Sequence, residues 1–242
     1  IFEQVYLHSS LQQWPGLGLA VQAYQKRALS VLEYLSDLAH RGKRKISVRL
    51  VKGAYWDTEI KRAQQQGLRD YPVFTRKENT DVSYLVCAHF LLTGNSRLYP
   101  QFATHNAYTV AAILTQAHCC DYEFQRLHGM GDTLYQQLVG DIDDGRRVPD
   151  QKGSISESGK PACRVYAPVG VHKDLLPYLV RRLLENGANT SFVNQLAHPE
   201  QSLKGLATNP YQQVLQRKDG FRHSQIPLPS NMFADIRDNS RG

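Results

Sequence analysis

The sequence predicts an α/β fold organised on a parallel sheet. Short apolar runs alternate about five times with stretches of helical spacing, the signature of right-handed strand–helix–strand units. A polar or charged residue recurs at the C-terminal end of each candidate strand: Gln22 with Tyr24, Arg49 with Lys52, Thr104 with His105 and Asn106, Gln125 with His128, and Tyr166. The Gly-rich phosphate loop GxGxxG that marks many doubly wound sheets is absent. Strand ends of this kind build the active site of a (β/α)8 barrel, although about five units are too few to close one.

Taken in order, residues 1–13 show weak helical spacing, broken at Trp14-Pro15-Gly16. Leu17–Tyr24 reads as a mostly apolar, buried strand that carries Gln22. Ala28–His40 repeats Leu29, Val31, Leu32, Tyr34, Leu35 and Leu38 at helical spacing, with Gly42 beyond its end. Lys45–Lys52 is the second strand and runs through Gly53-Ala54-Tyr55-Trp56-Asp57 into a helix near Thr58–Gln65. Gly67–Asn79 is a polar connection, and Asp81–Leu92 is a helix stopped at Gly94-Asn95. Leu98–His105 and Asp121–Leu127 are strands, followed by helices over Ala107–Ala117 and Asp132–Val139. Gly140–Pro161 is polar and reads as an exposed insertion. Cys163–Pro168 is the last strand.

The last helix, Lys173–Glu185, closes at Asn186-Gly187. Leu175, Leu176, Leu179, Val180, Leu183 and Leu184 fall on one half of its wheel, and Tyr178, Arg181, Arg182 and Glu185 on the other. Glu185 stands four residues after Arg181 and three after Arg182, so it can pair with either. Two guanidinium forks held by one carboxylate make a receptor for a small carboxylate or phosphate. The same residues also fit a solvated face whose ion pairs contribute ~0–1 kcal/mol, and the helix alone leaves both readings open.

The chain has 242 residues, 41% hydrophobic, and a formal charge of +7. That charge suits an anionic cofactor, an anionic membrane surface or nucleic acid, but none of the usual nucleic-acid motifs occurs, so DNA binding finds no support. The basic residues are scattered, with small knots at Arg41–Lys45 and Arg146-Arg147. No apolar run reaches the ~18 residues of a membrane span. Four cysteines without CxxC spacing point to free thiols rather than a zinc site, and no metal is expected. The start at Ile1 suggests a fragment of a longer protein.

Five blocks, Arg49–Asp57 (RLVKGAYWD), Tyr71–Lys77 (YPVFTRK), Gln101–Ala107 (QFATHNA), Glu123–Gly131 (EFQRLHGMG) and Tyr178–Val193 (YLVRRLLENGANTSFV), together resemble the proline dehydrogenase domain of bacterial proline utilization A, in order and in spacing. The resemblance covers residues 14–195. It implies a distorted (β/α)8 barrel of which this chain carries about strands four to eight, with the last helix over the barrel mouth. It implies FAD as cofactor, oxidation of L-proline to Δ1-pyrroline-5-carboxylate by hydride transfer to flavin N5, and a membrane quinone as electron acceptor. A cytoplasmic protein that meets the membrane peripherally when reduced is implied as well, and a homo-oligomer is compatible with it. By the same resemblance Arg181 and Arg182 clamp the proline carboxylate, Glu185 holds the arginines, and Tyr166, Tyr55 and Leu127 enclose the ring. Arg49 sits near flavin N5. Gln22, Val51, Gly53, Ala54, Trp56, Thr104, His105, Asn106 and Gln125 line the cofactor, and Lys52, Thr75, Arg76 and Lys77 meet its ribityl, phosphate or adenosine portions.

Plainer readings stand beside several of these. Gln22 and Gln125 suit strand-end groups bonded to backbone, Thr104 and Asn106 suit helix caps, and Tyr55 and Trp56 suit ordinary packing. His128, His172, the Cys119-Cys120 pair and the Lys61-Arg62 pair are assigned no role. Another barrel enzyme, such as an aldolase using Lys52 or a metal-dependent amidohydrolase, and a basic binding module are the alternative functions.

The resemblance also implies that the first strands lie outside this chain, leaving an open sheet with two bare edges that binds FAD poorly when expressed alone. The loop around 141–160 exceeds the family's usual length. Residues 196–242 read as a helical linker toward an aldehyde dehydrogenase domain, which would make the parent protein bifunctional and carry proline through to glutamate.

Overall fold

In the computed structural model, residues 1–94, 97–117, 121–139, 161–187 and 208–232 are described, with 139 and 183–187 described by backbone alone. The elements are α1 (Phe2–Tyr6), β1 (Gly18–Gln22), α2 (Ala28–Arg41), β2 (Ile46–Val51), α3 (Trp56–Gln65), α4 (Lys77–Thr93), β3 (Leu98–Ala103), α5 (Ala107–Gln116), β4 (Glu123–Leu127), α6 (Asp132–Val139), β5 (Ala162–Tyr166), α7 (His172–Gly187) and α8 (Pro210–Leu215). Short 3₁₀ turns lie at Ser9–Leu11 and Pro229–Asn231.

The five strands form one sheet in the order β1-β2-β3-β4-β5, every neighbouring pair parallel. Each strand is laid down on the same side of its predecessor. Right-handed crossovers then put the connecting helices on one face, whereas a doubly wound sheet reverses direction and covers both. The covered face is the core. Ile46, Val48 and Leu50 of β2 alternate inward and are fully buried, as is Phe102 of β3, while Leu98 and Phe124 are nearly so. They meet Leu32, Leu35 and Leu38 of α2, Tyr84, Cys87, Ala88 and Leu91 of α4, and Val110 and Ile113 of α5 in a single apolar cluster. At ~1.5–3 kcal/mol per buried aliphatic or aromatic side chain, this cluster is the main favourable term.

The other face carries the alternate residues. Register aligns Ala20, Arg49, Gln101, Glu123 and Ala162 in one row. The next row toward the C-terminal ends is Gln22, Val51, Ala103, Gln125 and Arg164, and beyond it Leu127 stands opposite Tyr166.

Two segments brace the sheet. Arg44 places its guanidinium 4.2 Å from the centre of the Tyr6 ring, donates to the Tyr6 carbonyl at 2.6 Å, and accepts the Tyr6 hydroxyl on its own carbonyl at 2.7 Å. Part of the Arg41–Lys45 charge is thus spent inside the fold. At the other end, residues 209–231 dock on α3 and α4. Arg217 pairs with Glu78 at 2.6 Å, Asn79 donates to the Phe221 carbonyl at 2.7 Å, and the Tyr71 hydroxyl donates to the Pro227 carbonyl at 2.8 Å.

Most predicted elements coincide with observed ones within a few residues. α4 starts at Lys77 rather than Asp81, because Thr75 and Arg76 are held by residues 219–223 and fix the helix entry there. β3 ends at Ala103 rather than His105, because Asn106 turns the chain to cap α5. Within the predicted Pro199–Arg217 helix, Pro210–Leu215 is helical and 199–207 lie outside the described residues. The 140–160 insertion also lies outside them. Among the described residues no helix is long and apolar enough to cross a membrane.

Candidate active site

The site forms where the strand ends meet α7. In a flat sheet β2 and β5 would stand ~14 Å apart, three strand spacings. Nevertheless the Arg49 guanidinium of β2 lies 4.4 Å from the centre of the Tyr166 ring of β5. The sheet therefore curls, with the open face concave. Arg49 Nε is buried and donates to nothing among the described residues.

Beyond β2 the chain turns at Gly53, whose φ is +130°. A Cβ there would fall 2.5 Å from the Tyr24 ring, so only glycine fits. Ala54 follows, and then Tyr55, half exposed, with Arg181 of α7 4.8 Å from its ring centre. Trp56 is anchored sideways, its indole N–H donating to the Phe74 carbonyl at 2.9 Å. Arg182 stands one turn beyond Tyr178 on α7, with its guanidinium carbon 5.5 Å from that ring and a 3.5 Å contact to its hydroxyl. The side chain of Glu185 lies outside the described residues.

At the end of β3, Thr104 accepts the Asn106 N–H at 3.2 Å, and Asn106 Oδ1 caps α5 by accepting the Thr109 N–H at 3.0 Å. Both side chains thus serve the turn. His105 reaches to β4, where the Leu127 N–H donates to its Nε2 at 3.2 Å. An accepting Nε2 requires the neutral imidazole with the proton on Nδ1. Burial first, then the charges of Arg182, Arg126 and Arg49, hold its pKa down to about 4. Arg181 on the Tyr55 ring brings α7 to the turn that follows β2.

Arg49, Tyr55, Leu127, Tyr166, Arg181 and Arg182 are thus drawn toward one concave mouth, with His105, Gln125, Gln22, Val51, Gly53 and Ala54 around it. A second group is committed elsewhere. Lys52 and Lys77 both pair with Asp81 of α4. Arg76, nearly buried, donates to the Arg222 carbonyl at 2.7 Å and pairs with Asp219, and Thr75 accepts the His223 N–H at 3.0 Å. Burial lowers the Lys52 pKa, and Asp81 opposes that shift.

The sequence reading missed Glu123 and Arg164. Glu123 is wholly buried on the concave face. Arg164 grips it with both arms, Nε to Oε1 and Nη2 to Oε2, each at 2.8 Å. Gln101 and Gln125 donate to Oε1 at 2.9 and 2.7 Å, and Tyr99 adds a 3.4 Å contact to Oε2. The available signal was polar residues at alternate positions of QFA and EFQRL, a pattern that solvent-facing strands share. A carboxylate with these donors has no lone pair left for Arg49.

The proline dehydrogenase family profile matches residues 1–195. The chain is 50% identical to the bifunctional protein PutA of Escherichia coli strain K12, a match covering 100% of this chain and 18% of that protein. It is 48% identical to the PutA of Rhizobium meliloti, covering 100% and 19%. A crystal structure of a Bradyrhizobium japonicum proline utilization A mutant superposes with a TM-score of 0.84 at 50% identity, covering 98% of this chain and 23% of that one. This sequence thus spans about a fifth of the length of these relatives. The chain belongs to the proline dehydrogenase family.

Proposed function

We propose that this chain forms part of the active site of an FAD-dependent L-proline dehydrogenase, within a bifunctional protein that carries proline toward glutamate. In this reading the five-stranded arc is the second half of a (β/α)8 barrel and α7 is the helix over its mouth. The observation that carries the proposal is the Arg181–Tyr55 contact, which ties the α7 segment bearing Arg181 and Arg182 to the turn after β2, the strand that also sends Arg49 onto Tyr166 of β5.

The donor set fits a flavin. Arg49 offers a buried, unused N–H, Gln125 an amide, and the only described carboxylate in the rows around them, Glu123, is saturated. Gln22, Arg49, Val51, Gly53, Ala54, His105 and Gln125 would hold the ring system, with Trp56, Thr104 and Asn106 shaping the turns behind it. Lys52, Thr75, Arg76 and Lys77 would face the ribityl, phosphate and adenosine portions, where the 219–223 segment already occupies part of Arg76. FAD, when bound, would supply the acceptor for the hydride that leaves L-proline, giving Δ1-pyrroline-5-carboxylate, and would pass the electrons on to a quinone at a membrane surface.

The protein's part is orientation and charge. Arg181 and Arg182 would take the substrate carboxylate in forked hydrogen bonds, with Glu185 holding them from the next turn. Tyr166, Tyr55 and Leu127 would bound the ring. A cationic mouth disfavours the ammonium form of the substrate, and the hydride can leave only from the neutral amine. Arg49 would favour the more electron-rich reduced state of the cofactor. The test is to purify the full-length parent protein, record its visible spectrum and add L-proline without oxygen. Loss of the oxidised-flavin band supports the proposal, and a flavin-free protein or an unchanged band refutes it.

A further inference from the structure

We propose that Glu123 and Arg164 are positioning residues that lock the Gln125 amide in one orientation, with one N–H anchored on Glu123 and its oxygen left as an acceptor, so that it selects a ligand bringing an N–H donor there. The proposal rests on the flavin reading above, in which that donor is the imide N–H of the isoalloxazine ring.

A glutamine amide is nearly symmetrical in shape and can present either its oxygen or its NH₂ to a partner. Here the choice is made from below. Gln125 Nε2 donates to Glu123 Oε1 at 2.7 Å, and a flipped amide would set its oxygen against a carboxylate. Glu123 cannot turn aside. Both of its oxygens are held by Arg164 at 2.8 Å, and Gln101 on the next strand donates at 2.9 Å. The carboxylate is wholly buried, whereas the Arg164 side chain is 47% exposed and its remaining N–H groups reach water, so the pair needs no further partner.

Gln125 Oε1 bonds to nothing among the described residues. Directly opposite on β3 stands Ala103, whose methyl offers the amide no hydrogen bond. Two residues further along β4 come Leu127 and its neighbour Tyr166, the walls of the substrate pocket in the proposal above. Neither Glu123 nor Arg164 touches the substrate or the reacting atoms, and each acts only through Gln125.

The experiment uses the full-length parent protein, stripped of flavin and titrated separately with FAD and with FAD methylated at the imide nitrogen, binding being read by flavin fluorescence. Wild type should favour FAD by about tenfold, the equivalent of ~1.4 kcal/mol. Glu123→Gln, Arg164→Met and Gln125→Leu should each bring the ratio close to one, while Arg164→Lys, which keeps the charge, retains most of it. Gln125→Leu leaves the ion pair intact and guards against misfolding of the other variants, and a wild-type ratio in it overturns the proposal by itself. So does a wild-type ratio in a folded Glu123→Gln protein. Wild type that binds FAD without preference overturns this assignment alone, whereas wild type that binds no FAD overturns the cofactor reading with it.

Discussion

The Arg181 guanidinium lies 4.8 Å from the centre of the Tyr55 ring. Tyr55 follows β2 and Arg181 belongs to the helix that follows β5, so this one contact joins α7 to the far side of the sheet.

The second long-range contact, Arg49 on Tyr166, yields a graded prediction. A cation over an aromatic face contributes about 0.5–2 kcal/mol. Tyr166→Phe keeps the ring and should change KM for L-proline by less than about threefold. Tyr166→Ser removes both the ring and its hold on Arg49 and should raise KM about tenfold or more. Steady-state kinetics on the full-length protein decide it, and equal effects in the two variants would mean that the ring is idle.

His105 makes stability depend on pH in a defined window. Its pKa is held down from 6.5 to about 4, chiefly by burial, so the unfolded chain binds the proton more readily. The stability this contributes is fully present above pH 6.5 and is lost as pH falls toward 4. Protonation would also abolish the acceptor for the Leu127 N–H. His105→Gln keeps an acceptor and does not titrate. Its melting temperature should fall less than that of wild type between pH 6.5 and pH 4, and parallel falls would contradict the assignment.

The 209–231 segment behaves as part of the folded unit. Arg76 is nearly buried, and Asp219 is its counter-charge. Asp219→Ala leaves that cation to the Arg222 carbonyl and should destabilise this region measurably. Lys26→Ala, which breaks the exposed Lys26–Asp70 pair, should cost under ~1 kcal/mol. Denaturant titration or limited proteolysis of this segment measures the difference.

β1 and β5 each present one edge that pairs with nothing among the described residues. Bare parallel edges recruit other chains. The 242-residue chain expressed alone should self-associate and bind FAD at least about tenfold more weakly than the full-length protein does. Light scattering with flavin titration checks both, and a monomer with full flavin affinity would contradict it.

What the sequence disclosed follows from the range of each interaction. β2 was legible because ISVRLV alternates against a one-sided core, and α2 because its leucines keep helical spacing. The Arg181–Arg182 face was legible as an anion receptor, but the contact of Arg181 with Tyr55 is set by packing between segments 126 residues apart. The start of α4 was not legible, because its entry is fixed by Asp219, 143 residues away. Glu123 and Arg164 were missed because they are 41 residues apart and a polar residue facing a concave interior looks like one facing water. Of the two readings of Thr104 and Asn106 the structure shows the local one, Asn106 capping α5 and Thr104 bracing the turn before it.

The central claim is that Arg181 and Arg182 recognise a carboxylate. The most direct measurement compares kcat/KM for L-proline with that for L-prolinamide, which lacks the charge, in the full-length protein and in Arg181→Met and Arg182→Met. Wild type should prefer proline by about a hundredfold or more, and each variant should lose most of that preference through proline alone, as removal of a charged hydrogen-bond partner requires. A preference that survives in both variants would contradict the account and place the carboxylate elsewhere.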